Sequence, residues 1–250
     1  KRVIILDADF GLANIEIMFG AIPKHNLCDL VYEGKSISDI ITWGPMEVGF
    51  ISGGSGIAGM ANLGKDALTC IIQNLAELDA LTDIIIVDTG AGISDSVLEF
   101  LASGEVLLVT TPEPTSITDS YSLLKALYRH PRFQEDFTKV MMVANRVSNI
   151  KEGQVLFDKL NAVVTRYLKI PMTYMGCVPQ DPQVMQAVMQ QVPVSIQNPG
   201  AKASQAYQRI AERMCEKEDD TAQEQQPRRG MAAFFSHIIG TRNGATKQSR

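Results

Sequence analysis

The chain has 250 residues, 45% of them hydrophobic and 20% charged, and 23 Lys plus Arg against 28 Asp plus Glu leave a net charge of −5. That is enough apolar material for a sizeable core in one or two domains, and the acidic balance excludes a generic nucleic-acid binder, since phosphate neutralisation needs an excess of cations. The four cysteines (Cys28, Cys70, Cys177, Cys215) form no CxxC pair, and no apolar run approaches the roughly 18 residues of a membrane span. Secreted disulfide scaffolds, zinc fingers and membrane-spanning classes are therefore excluded, and the cysteine usage suits a reducing cytoplasm.

In chain order, short apolar runs with strand character fall at 3–6, 48–52, 84–87, 106–110, 140–143 and 172–178. Several are continuous rather than alternating, as expected of strands buried on both faces. Helix-like stretches fall between and after them at 64–78, 96–102, 117–128, 154–168 and 182–191. The alternation predicts βαβ units, an α/β fold with a mainly parallel twisted sheet flanked by helices. Ligands on such sheets bind beyond the carboxyl ends of the strands, so the residues that follow each run carry the functional reading.

After the first run comes Leu6-Asp7-Ala8-Asp9-Phe10-Gly11-Leu12-Ala13-Asn14. Alternation puts Asp7 and Asp9 on one side of the strand, close enough to share a hydrated cation or a water, or to stand simply as solvated aspartates. Ile84-Ile85-Ile86-Val87-Asp88-Thr89-Gly90-Ala91-Gly92 has the Walker B pattern, in which the aspartate holds Mg²⁺ beside a nucleotide's terminal phosphates. Small residues after it let backbone amides approach a phosphate. Later runs end in Asn145-Arg146 and in Pro179-Gln180-Asp181, suited to an adenine edge and equally to ordinary strand-end turns.

Other patterns count for less. A GxxxxGK[ST] phosphate loop does not occur in the chain. Gly54-Ser55-Gly56-Ile57-Ala58-Gly59 fits GxGxxG, with Asp79 near where a ribose-binding acid belongs, but a dinucleotide fingerprint opens the first βα unit and this one follows the second run. The histidines His25, His130 and His237 are scattered. Met141, Met142, Met185 and Met189 read as fillers of core gaps and Trp43 as a packing residue.

Taken together, Ile5–Asn14 resembles the switch I strand and loop of the MinD/ParA-type deviant-Walker ATPases, and 84–92 resembles their Walker B and switch II. Asn145-Arg146 and Pro179-Gln180-Asp181 resemble their adenine-side motifs. Gly53-Gly54-Ser55-Gly56 and Glu113-Pro114-Thr115-Ser116-Ile117-Thr118-Asp119-Ser120-Tyr121 resemble the branch that sets flagellar number and placement (FlhG/FleN). The resemblance spans roughly residues 1–240. It implies a P-loop NTPase fold of the SIMIBI type, with ATP and Mg²⁺ as ligands and ATPase activity. Asp9 would position or activate the attacking water, with Asp7 supporting the switch. Asp88 would hold Mg²⁺ through water, Gly92 would offer an amide near the γ-phosphate, and Asn145, Arg146, Pro179 and Asp181 would contact the adenosine.

The implied partners are a second copy of the chain in an ATP-dependent homodimer, and a flagellar SRP-type GTPase or a flagellar transcriptional activator. Direct nucleic-acid contact is not expected. The resemblance leaves open two alternatives: a pseudo-ATPase binding module, and a septum-placement or DNA-partitioning ATPase. The family begins with a strand and a glycine-rich signature loop, whereas this chain opens on Lys1-Arg2-Val3, as an interior point of a longer protein does. The chain as it stands is expected to hydrolyse no ATP and, with strand edges exposed where the first strand belongs, to aggregate.

The domain reading is an ATPase domain over 1–215, a polar linker over 216–227 and a basic tail over 228–250. In the tail, Met231, Phe234, Phe235, Ile238 and Ile239 form one helical stripe, and Arg228, Arg229, Arg242, Lys247 and Arg250 surround it with no acidic residue after Glu224. That composition fits a helix lying in the interface of an anionic bilayer, or one docked on its own domain. The expected location is cytoplasmic and reversibly peripheral at the inner face of the membrane.

Overall fold

A computed structural model describes residues 1–9, 14–54, 77–102, 104–133 and 138–221. These residues fall into two compact units, residues 1–91 and Gly92 onward.

The first unit is built on β1 (Val3–Ala8), β2 (Thr42–Trp43), β3 (Gly49–Ile51) and β4 (Ile84–Thr89), in the order β2-β3-β1-β4. β1 runs parallel to both β3 and β4, whereas β2 pairs antiparallel with β3. The last pairing is absent from the sequence reading, because two residues are too few to show a period.

The register of β1 on β4 is pinned at its start. The Arg2 amide donates to Asp83 Oδ2 at 2.7 Å, the Arg2 guanidinium donates to Oδ1 at 3.0 Å, and the Thr82 hydroxyl donates to the Arg2 carbonyl at 2.7 Å. The guanidinium and amide together hold the Asp83 carboxyl at about 2, well below its ordinary range.

Short helices α1 (Ile15–Phe19), α2 (Leu27–Glu33) and α3 (Ile37–Ile40) follow β1, and α4 (Leu78–Leu81) precedes β4. α2 and α3 each start on a capping box, Asn26 with Asp29 and Ser36 with Asp39, which satisfies two amides reciprocally. α1 and α2 stop at Gly20 and Gly34, both left-handed. The helix expected over 64–78 lies almost wholly outside the described residues.

The second unit contains β5 (Val106–Thr110), β6 (Val140–Val147) and β7 (Met172–Pro179), parallel and in that order. Its helices are α5 (Asp95–Ala102), α6 (Pro114–Tyr128), α7 (Ile150–Leu168), α8 (Pro182–Met189), α9 (Val194–Gln197) and α10 (Lys202–Thr221). One core packs Leu124 and Leu127 of α6 and Leu156, Leu160 and Val164 of α7 against Val140, Met142 and Ala144 of β6. On the other face, Ala203, Ala206 and Ile210 of α10 pack against Met141, Val143, Met175 and Val178. β6 is thus buried on both faces, as its continuous run predicts. β5 instead alternates, with Leu107 and Val109 exposed, because Val106 and Leu108 pack into the α6–α7 core while its other face is not covered among the described residues.

Other expectations are corrected. Met141 and Met142 lie in the core, but Met185 and Met189 on α8 are 70% and 82% exposed. Trp43 is also exposed, its ring edge resting over Gly49. The polar run from residue 216 continues α10 through Thr221, since Glu216, Lys217 and Glu218 favour helix, and residues 222–227 lie outside the described ones.

α7 lies tight against β7 at Gly153, where a Cβ would come 2.6 Å from the Tyr174 hydroxyl and 2.8 Å from the Cys177 Cβ. Gly153→Ala is expected to cost about 1–2 kcal/mol net of its helix-propensity gain, measured by urea unfolding. Gly104→Ala, with open space around it, serves as a silent control.

Candidate functional site

In the first unit the parallel register sets Asp7 beside Asp88 and Ala8 beside Thr89, so the carboxyl ends of two adjacent strands coincide. Neighbours in parallel register present their side chains on one face, and Asp9, two residues past Asp7, follows on the same side.

The three carboxylates differ in what they touch. Asp7 is 1% exposed and its oxygens are taken by backbone amides: Oδ1 accepts from Asp9 at 3.1 Å, and Oδ2 from Asn14 at 3.0 Å and Ile15 at 3.4 Å. Asp7 therefore folds the chain after β1 back on itself and starts α1 over its own charge, where the helix dipole favours an anion. Residues 10–13 of that loop lie outside the described ones.

Asp9 is only partly covered, and beyond its own amide to Asp7 its carboxylate has no hydrogen-bond donor among the described residues. Its side chain rests against Gly90, where a Cβ would sit 3.1 Å from Asp9 Cγ and Oδ1. A side chain at residue 90 would require the Asp9 carboxylate to give by a few tenths of an ångström. Asp88 stands more openly at the end of β4, yet protein crowds its carboxyl. That desolvation first, and then the charges of Asp7 and Asp9, push its proton affinity above the ordinary carboxylate value.

Among the described residues none of the three carboxylates is ion-paired. The donor set is hard oxygen, which fits Mg²⁺. No three acidic, histidine or cysteine side chains among the described residues are close enough to hold one ion directly, so the fit is to a hydrated ion held through water.

One more carboxylate belongs to this end of the sheet and was missed in the sequence. Glu16, in the first turn of α1, accepts a hydrogen bond from the buried Ser52 hydroxyl at 3.0 Å, and Ser52 Oγ in turn accepts from the Gly54 amide at 3.2 Å. Gly54 is left-handed at φ 80°, which explains the glycine there without a dinucleotide site. Residues 55–59 of the GxGxxG run lie outside the described residues.

In the second unit, Gly92 has φ 106° and open space where a Cβ would be. Asn145 and Arg146 end β6. Arg146 is left-handed at φ 56° and is skipped by the ladder, which pairs Asn145 with Val178 and then Val147 with Pro179. It is a bulged residue, and the bulge turns its side chain out of the sheet. Asn145 Oδ1 accepts from the Arg146 amide at 2.9 Å. The Arg146 guanidinium lies 3.6 Å from Glu113, whose other oxygen accepts from the Thr111 hydroxyl at 3.2 Å.

Pro179 closes β7, and the Gln180 amide donates to the Val147 carbonyl at 2.9 Å. Asp181 caps α8 by accepting from Gln183 at 3.0 Å and reaches the start of α10 by accepting from Ala203 at 3.2 Å. These amides hold its carboxyl below the usual range. Sequence reasoning found Asp181 but not this bracing of two helices. The stripe at Met231, Phe234, Phe235, Ile238 and Ile239 lies outside the described residues.

No protein-family model matches the chain. It is 38% identical over 215 residues to the antiactivator FleN of Pseudomonas aeruginosa, a match covering 86% of this chain and 75% of FleN. It is 29% identical over 241 residues to the flagellum site-determining protein YlxH of Helicobacter pylori, covering 95% of this chain and 79% of YlxH. Among solved structures, the septum site-determining protein MinD of Pyrococcus horikoshii, complexed with Mg-ADP, superposes with a TM-score of 0.66 at 20% identity, over 85% of this chain and 83% of that one. The likeness to MinD establishes the fold, mainly parallel strands flanked by helices.

The crowding around Asp88 has a measurable consequence. Asp88→Asn removes a charge held against its neighbours, so at pH 7 and without divalent cation the variant should unfold at a higher temperature than the parent. A carboxyl raised in the folded state costs stability only where it is ionised. The variant's advantage should therefore be full above the raised value and vanish as pH falls towards the ordinary carboxylate range.

Proposed function

The chain belongs to the MinD/ParA-type ATPases, in the branch of flagellar regulators that includes FleN, and on that premise we propose that it is an ATP-driven switch controlling flagellar number or placement. The observation that carries this reading is the convergence of Asp7, Asp9 and Asp88 where β1 and β4 end in register. Three carboxylates without an ion-pair partner among the described residues suit a place where a cation and a polyphosphate come and go.

The roles divide by what each side chain has free. Asp9 keeps its carboxylate available and orients the attacking water, accepting its proton as the γ-phosphate is transferred. Asp7, saturated by amides, holds Asp9 and α1 in place. Asp88 holds the hydrated Mg²⁺, which when bound neutralises charge developing on the phosphate oxygens. Gly92 offers its amide to phosphate, and Asn145, Arg146, Pro179 and Asp181 contact the adenosine. ATP closes a homodimer of two such chains and hydrolysis reopens it, the γ-phosphate contacts selecting between two states.

FleN is named an antiactivator and YlxH a flagellum site-determining protein. The partner class proposed is accordingly a flagellar transcriptional activator, or a flagellar SRP-type GTPase. The basic tail, with Met231, Phe234, Phe235, Ile238 and Ile239 on one stripe, docks reversibly on the inner face of an anionic membrane, and pairing of two tails in the dimer strengthens that contact.

In the full-length protein, Asp9→Ala should retain ATP binding while turnover at saturating ATP and Mg²⁺ falls by roughly 10²–10⁴-fold. Turnover at the parental rate would remove Asp9 from the chemistry. Separately, Phe234→Glu with Phe235→Glu should abolish ATP-dependent sedimentation with vesicles of anionic lipid while leaving turnover unchanged. Sedimentation that survives the double substitution would mean the tail is not the membrane contact.

A further inference from the structure

β7 does not keep a single side-chain phase. Met142 of β6 pairs with Tyr174, but the next residue, Val143, pairs with Gly176, so Met175 is an extra residue in β7. The packing confirms the slip. Before it, Met172 and Tyr174 pack against the α6–α7 core, and after it Cys177 does, three residues on rather than two. Met175 and Val178 both face α10. Without the bulge, alternation would send Val178 to the same face as Met172 and Tyr174, and Pro179 and Asp181 would leave the strand with their faces exchanged.

A bulge of this kind needs a permissive backbone and a partner for the carbonyl it displaces. Gly176, at φ 131°, supplies the first. The second comes from outside the sheet. Arg213, three turns into α10, donates from Nη1 to the Met175 carbonyl at 3.0 Å. Ile210, one turn earlier, lies 3.6 Å from where a Gly176 Cβ would be, so the same helix face both covers and holds the bulge.

We infer that Arg213 is a positioning residue for the nucleotide-facing end of β7: by binding the Met175 carbonyl it fixes the bulge that aims Pro179, Gln180 and Asp181. The inference deepens the function proposed above and rests on it for the identity of the ligand, though not for the geometry. Arg213 itself touches none of the residues assigned to nucleotide. Its effect runs through the register of the strand, which the Gln180–Val147 hydrogen bond reports directly.

The test compares Arg213→Met, which keeps the apolar stem and removes the donors, with Arg213→Lys, which keeps one donor. Two measurements are made on the full-length protein: the dissociation constant for ATP with Mg²⁺, and hydrogen exchange at the Gln180 amide. Arg213→Met should weaken ATP binding about tenfold, the scale expected when a carbonyl loses a hydrogen bond from a charged donor. Exchange at Gln180 should quicken by a similar factor, and turnover at saturating ATP should stay within about twofold. Arg213→Lys should recover most of both losses. Unchanged Gln180 exchange in Arg213→Met overturns the inference. So does a loss of nucleotide binding that only tracks global unfolding and is not rescued by lysine. If the parent protein binds no nucleotide, the functional reading fails, and Gln180 exchange still decides whether Arg213 holds the strand end.

Discussion

The register of β1 on β4 is the constraint on which the candidate site depends. It is set far from the chemistry, by Arg2, Thr82 and Asp83 at the opposite end of the strands, and it delivers Asp7 and Asp88 as direct neighbours. Adjacent strands lie about 4.8 Å apart, so two carboxylates in register repel, and the third at Asp9 adds to the burden. The structure relieves this unequally. Among the described residues Asp7 receives three amides and Asp88 none, and burial of the Asp88 carboxyl first, then the charges of Asp7 and Asp9, raise its proton affinity. Like charges gathered at one strand end, with one of them compensated among the described residues, are the arrangement expected of a ligand site.

The same arrangement distinguishes the two carboxylates at the carboxyl end of β1. Asp7 looks as reactive as Asp9 in the sequence, yet its oxygens are committed to holding the following loop and α1. Asp9 rests close against Gly90, where a Cβ would come within 3.1 Å of its carboxyl. A displacement of the turn after β4 towards Asp9 would therefore press on its carboxylate. That steric contact links the ends of two strands without a hydrogen bond, and it accounts for the glycine directly after Asp88-Thr89. Glu16 extends the linkage to β3 through Ser52, so α1 is tied to the ends of both β1 and β3.

Much of this was legible in the sequence where the physics is local. Apolar runs followed by Asp7 and Asp88 marked strands and their carboxyl ends, and the runs at 106–110, 140–143 and 172–178 became β5, β6 and β7. The short elements were not legible. α1, α2 and α3 are four to seven residues long, and their signal lies in caps such as Asn26 with Asp29 rather than in periodicity. Methionine was misjudged on α8, because an apolar helical residue reads as core whether or not a neighbour covers it. The pairing of Asp181 with Ala203 joins residues 22 apart through a backbone amide, which has no residue type to read.

The bulges in β6 and β7 show why residue identity alone underdetermines a strand-end site. Met175 in β7 and Arg146 in β6 are each one residue too many, and together they restore the register by Val147 and Pro179. Between them, for the length of Val143, Ala144 and Asn145, the strands run one step out of phase. The first half of the ladder obeys the core, which needs Met142 and Tyr174 on the α6–α7 side. The second half obeys the strand end, which needs Asn145 beside Val178 and Arg146 turned out of the sheet. A single uninterrupted register cannot satisfy both, since a one-residue slip exchanges the faces of everything beyond it. Two compensating insertions can, provided each displaced group finds a partner. The Asn145 side chain serves the Arg146 amide, and Arg213 serves the Met175 carbonyl. The second of these partners comes from α10, a helix otherwise concerned with packing. The aim of the strand end is thus set by a residue that no motif at the site contains.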